Sequence, residues 1–229
     1  GAPMPFWMLL ILSVFAGAGA GYLANLAADK LPGWGTQVEG ERAEGTAPNV
    51  RVPWRSRAVM AALAVLFPLL AFQQGGAIRP LLVSWCYAWF LVTVLVIDLE
   101  TRRVLNVMVG PAAVFAVAAG LWLGEPSLPS ILGGGLAAFL LFFGLFLLGR
   151  VMYGRGALGF GDVKLAGVIG LMTGYPGVLP ALTAGALLGA VAAVFLIVTR
   201  RAGLKATTAY APYLAIGAML ALWAGFGGS

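Results

Sequence analysis

Along this 229-residue chain the apolar residues do not alternate with polar ones; they run in blocks, separated by short clusters of charge, Gly and Pro. A helix needs about 20 apolar residues to cross the hydrocarbon core of a bilayer, and eight blocks approach that size: Pro5 to Ala28, Ala58 to Phe72, Leu81 to Ile97, Val104 to Leu123, Leu128 to Leu148, Val163 to Thr173, Val178 to Val198 and Ala209 to Gly225. The pattern predicts an all-α polytopic membrane protein of about eight transmembrane helices, because a lone segment in lipid can satisfy its backbone only as a helix. Residues 1–229 read as a single membrane-embedded domain. The second and sixth blocks are short, which tilt, extension or shielding by neighbours accommodates.

One interruption is long. Pro32 to Arg57 is rich in Gly, Glu, Thr and Arg, and its few apolar residues predict a short flexible cytoplasmic loop. At the start, Gly1, Ala2 and Pro3 ahead of Met4 read as a scar from an expression tag. The first block has no basic residue before it and no small-residue cleavage site after it, so it reads as a retained span and not a signal peptide. Gly17 with Gly21, and Gly185 with Gly189, have the four-residue spacing that lets membrane helices approach closely. No internal repeat is evident.

Composition supports the blocks: 61% of the residues are hydrophobic and 10% charged, against about 25% charged in an ordinary soluble domain. The net charge of +6 would suggest nucleic acid in a soluble protein. Here its distribution gives it another meaning. With the N-terminus outside, Lys30, Arg42, Arg51, Arg55, Arg57, Arg102, Arg103, Arg150, Arg155, Lys164, Arg200, Arg201 and Lys205 all fall on the cytoplasmic side, and only Arg79 falls outside. Lys and Arg mark cytoplasmic loops in this way, so the basic residues are read as topology signals and no nucleic-acid partner is expected.

The chain has no His and one cysteine, Cys86. Ser-His and Cys-His nucleophiles, His-ligated metals, an intrachain disulfide and a four-cysteine zinc site are therefore excluded. Acid chemistry falls to Asp and Glu, and acids at membrane depth are costly enough to mark function. Glu39, Glu41 and Glu44 lie in the loop, Glu125 in an outer turn, and Asp29 beside Lys30, with which it could pair. Asp98, Glu100 and Asp162 remain.

Each has an ordinary local reading. Asp98 can pair with Arg102 one turn on, with Glu100 near Arg103, and Asp162 can cap the helix that follows it. Yet the proposed topology brings Asp98, ending an inward span, and Asp162, starting an outward one, to the same cytoplasmic side. Two close carboxylates cannot easily both ionise. The ionised one can then draw a proton from water while the other protonates a leaving amine, which is peptide hydrolysis without His, thiol or metal. Gly159 and Gly161 remove side chains where an extended substrate would approach. Lys164 either anchors the helix at the interface or holds positive charge near the pair.

Four stretches extend this picture. DLETRRVLN from Asp98 to Asn106 and GFGDVKL from Gly159 to Leu165 carry the two acids; GYLANLAADKLP runs from Gly21 to Pro32, and APYLAIG from Ala211 to Gly217. Together they resemble the type IV prepilin peptidases, membrane aspartyl proteases with a Gly-x-Gly-Asp motif. The resemblance implies Asp98 and Asp162 as catalytic residues and cleavage of the basic leader from prepilins or pseudopilins at the cytoplasmic face of a prokaryotic inner membrane. Such proteins serve type IV pili and type II secretion. Many members also methylate the new N-terminus with S-adenosylmethionine, and they hold zinc in two Cys-x-x-Cys pairs of the cytoplasmic loop. This chain lacks those cysteines, so zinc is not expected. Asn25, in the first of the four stretches, is the candidate for the second activity, with S-adenosylmethionine needed only if methylation is retained.

Two other readings predict different features. The presenilin and signal-peptide-peptidase group shares Gly-x-Gly-Asp, but its first motif is Tyr-Asp where this chain has Ile97 before Asp98, and its Pro-Ala-Leu motif lies much farther downstream than Pro180 to Leu182. A proton-coupled transporter predicts acids near the midplane and repeated halves.

Overall fold

The secondary structure is helical throughout the described residues, as backbone satisfaction in lipid requires. A computed structural model describes residues 5–38, 53–101, 104–153, 158–199 and 210–224. Its helices are α1 (Phe6–Val38), α2 (Pro53–Gln73), α3 (Ile78–Thr101), α4 (Asn106–Leu123), α5 (Leu128–Tyr153), α6 (Phe160–Thr173), α7 (Val178–Val198) and α8 (Ala211–Trp223), with no strand among the described residues. Each apolar block coincides with one helix. The ends of the expected loop are helical, since α1 continues to Val38 and α2 begins at Pro53. Outside the described residues lie 1–4 with the expected tag scar, 39–52 with Glu39, Glu41 and Glu44, both Arg102 and Arg103, and the basic residues Arg155, Arg200, Arg201 and Lys205.

Among the described residues, six helices are long and apolar enough to cross a membrane: α1, α2, α3, α4, α5 and α7. The other two are shorter. At 1.5 Å per residue, the 14 residues of α6 and the 13 of α8 reach about 20 Å, short of a core about 30 Å thick. For α6 the reason is burial: Asp162, Val163, Leu165 to Gly170, Met172 and Thr173 are all buried. A helix apolar on every side belongs inside a bundle, and α6 packs against α4, α5, α7 and α8.

The chain forms two compact units, Gly1–Ile97 and Asp98–Ser229, with the boundary inside α3. In the first unit α1 and α2 lie backbone to backbone. A Cβ added at Gly21 would sit 2.5 Å from the Met60 Cα, so the spaced glycines of α1 are what allow the approach. Polar contacts fasten the same pair: Asn25 Nδ2 donates to the Ser56 carbonyl at 3.3 Å, and Arg55 meets Asp29 at 2.5 Å. Asp29 thus pairs across helices, not with its neighbour Lys30, whose side chain projects from the next position of the same helix. Trp85 of α3 stacks on Phe67 at 4.8 Å, and the Trp89 indole donates to the Ala20 carbonyl at 3.1 Å.

In the second unit α5 packs on α6 and α7 on α8. The other glycine pair of the sequence serves the latter contact, with Gly185 against Leu214 and Gly189 against the Tyr210 ring.

Candidate functional site

The second unit contains both acids singled out by the sequence. Asp98 ends the apolar face of α3 and is 3% exposed; Asp162 opens α6 and is 8% exposed. Burial of two carboxylates in an apolar bundle is expensive, so their surroundings are informative.

Asp162 is not the cap residue itself. Gly159 caps α6, and Asp162, three residues on, reaches back so that its Oδ2 accepts the Gly159 N–H at 3.2 Å. Its own N–H donates to the Gly159 carbonyl at 3.1 Å. A second backbone N–H, from Ala211 at the start of α8, also donates to the Asp162 carboxylate. Asp162 precedes the apolar run Val163–Thr173, outside the membrane-spanning stretches. Burial first, and the negative charge of Asp98 second, push its carboxyl up to about 7, against the opposing pull of the two N–H donors. The two acids therefore interact electrostatically. The expected partners of Asp98 and Glu100, Arg102 and Arg103, lie outside the described residues.

At Gly161 a Cβ would lie 2.8 Å from the Val104 Cβ, so the missing side chain makes room for the chain that follows Asp98. At Gly159 a Cβ would meet the Asp162 carboxylate at 3.2 Å. Both glycines thus accommodate the acid pair and its connection. Lys164 faces neither acid: its Nζ donates to Asn106 Oδ1 at 2.5 Å and lies 4.8 Å from the Phe160 ring centre.

Residues without an assigned role in the sequence reading also meet here. Tyr210 packs on Phe142 at 6.0 Å and on Tyr213 at 6.3 Å. Ala211 opens the APYLAIG stretch and Tyr210 precedes it; the stretch marked the position but not the contact. Val104 and Asn106 lie in the first acidic stretch, and their packing on α6 had no local signal.

Asn25 belongs to the other unit. It is 6% exposed and donates to the Gly21 and Ser56 carbonyls, and its Oδ1 is buried without a hydrogen bond among the described residues. Asn25 is thus held in the α1–α2 contact. Among the described residues no three His, Cys, Asp or Glu side chains converge as a metal site would need.

Comparison with known proteins gives a consistent set of matches. The model of the type IV leader peptidase family matches residues 85–194, a segment that includes both Asp98 and Asp162. A prepilin leader peptidase/N-methyltransferase of Pseudomonas putida is 27% identical over 70% of this chain and 60% of its own length. Proteins of the same name from Aeromonas salmonicida and Aeromonas hydrophila are 26% and 27% identical, each over 71% of this chain and 54% of their own lengths. The chain thus spans little more than half the length of these curated relatives. No solved structure matches it.

Proposed function

The type IV leader peptidase family model matches residues 85–194, and from that match we propose that the chain is a membrane aspartyl endopeptidase of this family, removing the leader from type IV prepilins or pseudopilins. The observation that carries the proposal is the burial of Asp98 and Asp162 in one unit, with the charge of one raising the proton affinity of the other. Such a pair holds one proton between its two members near neutral pH.

Catalysis then follows from the shared proton. The ionised carboxylate takes a proton from a water molecule as the water oxygen bonds to the scissile carbonyl carbon. The protonated carboxyl hydrogen-bonds the carbonyl oxygen as negative charge develops there. Collapse of the tetrahedral intermediate breaks the C–N bond, and a carboxyl proton passes to the leaving amine. The backbone donors at Gly159 and Ala211 fix the orientation of Asp162 throughout.

The reading includes a location: a prokaryotic inner membrane, the N-terminus outside and the acid pair at the cytoplasmic face, supported by the one-sided basic residues. It covers proteolysis alone. The relatives' names join peptidase and N-methyltransferase, but this chain lacks the loop cysteines of the methylating members, and Asn25 is held between helices.

Co-expression with a prepilin, followed by mass analysis of the product, tests the function. The expected product has lost its leader immediately before the hydrophobic helix and carries no added methyl group. An uncut prepilin would contradict the peptidase reading; a product heavier by one methyl would contradict its restriction to proteolysis.

A further inference from the structure

Asp98 and Asp162 belong to elements far apart in sequence, so their separation depends on what holds the connection after Asp98 onto α6. The connection is short: α3 ends at Thr101 and α4 begins at Asn106. Its described part touches α6 at two adjoining places. Val104 lies against Gly161, where even a methyl group would come within 2.8 Å, and beside it Leu105 is buried. One turn farther along α6, Lys164 closes on Asn106 at 2.5 Å. Gly161 and Lys164 thus flank Asp162, and Val104 and Asn106 both follow Asp98.

The Lys164 ammonium is further held over the Phe160 ring, and a charge-assisted hydrogen bond is stronger than a neutral one. The bond is exposed, so it can be made and broken without unpacking the bundle.

We propose that Lys164 and Asn106 form a latch that holds the Asp98 segment on α6 and so sets the spacing of the acid pair. Both are positioning residues for the reaction and touch neither water nor scissile bond. The inference rests on the peptidase reading and adds to it a device outside the pair itself. A latch of this kind makes a distinctive claim: its two halves act as one, and loosening it separates the carboxylates. Separation weakens the repulsion that keeps a proton on the pair, so the pH range of activity contracts on its alkaline side.

The test uses the full chain, purified in membrane mimetic, with a prepilin as substrate. Lys164→Ala, Asn106→Ala and their combination are compared with the parent in kcat, KM and pH profile, with Lys164→Arg and Asn106→Asp as conservative variants. Each alanine variant is expected to lower kcat about tenfold with KM within about twofold, and the double variant to be no worse than the more severe single one, the signature of coupled residues. The alkaline limb moves to lower pH, and Asn106→Asp, which replaces the hydrogen bond by an ion pair, keeps the parent profile. Multiplying effects in the double variant, a loss confined to KM, or an unchanged pH profile would each overturn the latch. Asp98→Asn and Asp162→Asn in the same assay separate the two readings: if both are inactive while the latch variants match the parent, the latch fails and the acid pair stands. If either retains full activity, the acid pair fails.

Discussion

At Asp162 burial and the charge of Asp98 push the carboxyl up to about 7 from an ordinary value of 3.8, and the shift has two measurable consequences. Cleavage needs one proton on the pair, and raising the pH through about 7 removes it. The rate is therefore expected to fall on the alkaline side with a midpoint near that value, read from kcat against pH. Stability follows the same sign. Between 3.8 and about 7 the folded chain holds a proton that the unfolded chain has released, so this group stabilises the fold at low pH and the contribution is lost as pH rises through 7. Asp162→Asn, which cannot ionise, is expected to raise the unfolding midpoint more at pH 8 than at pH 5; equal changes at the two values would contradict the buried charge. Both acids were legible in the sequence because charges beside apolar blocks are few. The work of Gly161 was not, since the residue that fills its space is Val104, on another element, and a local motif carries no information about a distant neighbour.

Among the elements, α6 shows why close packing and glycine go together. Gly161→Ala places a methyl 2.8 Å from the Val104 Cβ, and overpacking of that kind costs about 1–3 kcal/mol. Gly144→Ala in α5 is the opposite case: nothing outside its own helix lies within 4 Å of the added methyl, and a helix gains about 0.5–1 kcal/mol when Ala replaces Gly. Thermal unfolding is expected to show a lowered midpoint for the first and a raised one for the second. The eight helices were readable from the blocks because apolar length is a strong signal in a membrane chain. The continuation of α1 to Val38 was not readable, since Pro32, Gly33 and Gly35 are residues that disfavour helix interiors. The short length of α6 was visible, and its meaning came from packing: a helix buried on all sides needs no full bilayer span.

At the scale of the whole molecule, the basic residues and the helix order make one statement about the membrane. In a Cys86→Ala background, Gly76→Cys, in the turn between α2 and α3, is expected to react with an impermeant maleimide in intact cells, and Arg150→Cys, near the end of α5, only after lysis. The reverse pattern would invert the topology and move the acid pair to the other face. The two-unit organisation was not legible, because its boundary falls within the unbroken apolar run of α3. The central claim is that Asp98 and Asp162 together cleave a peptide bond, and the most direct measurement is the rate of prepilin cleavage by the purified parent, Asp98→Asn and Asp162→Asn. Loss of either carboxylate is expected to lower kcat by at least about 100-fold while each variant remains folded. Full cleavage by either variant would contradict the account.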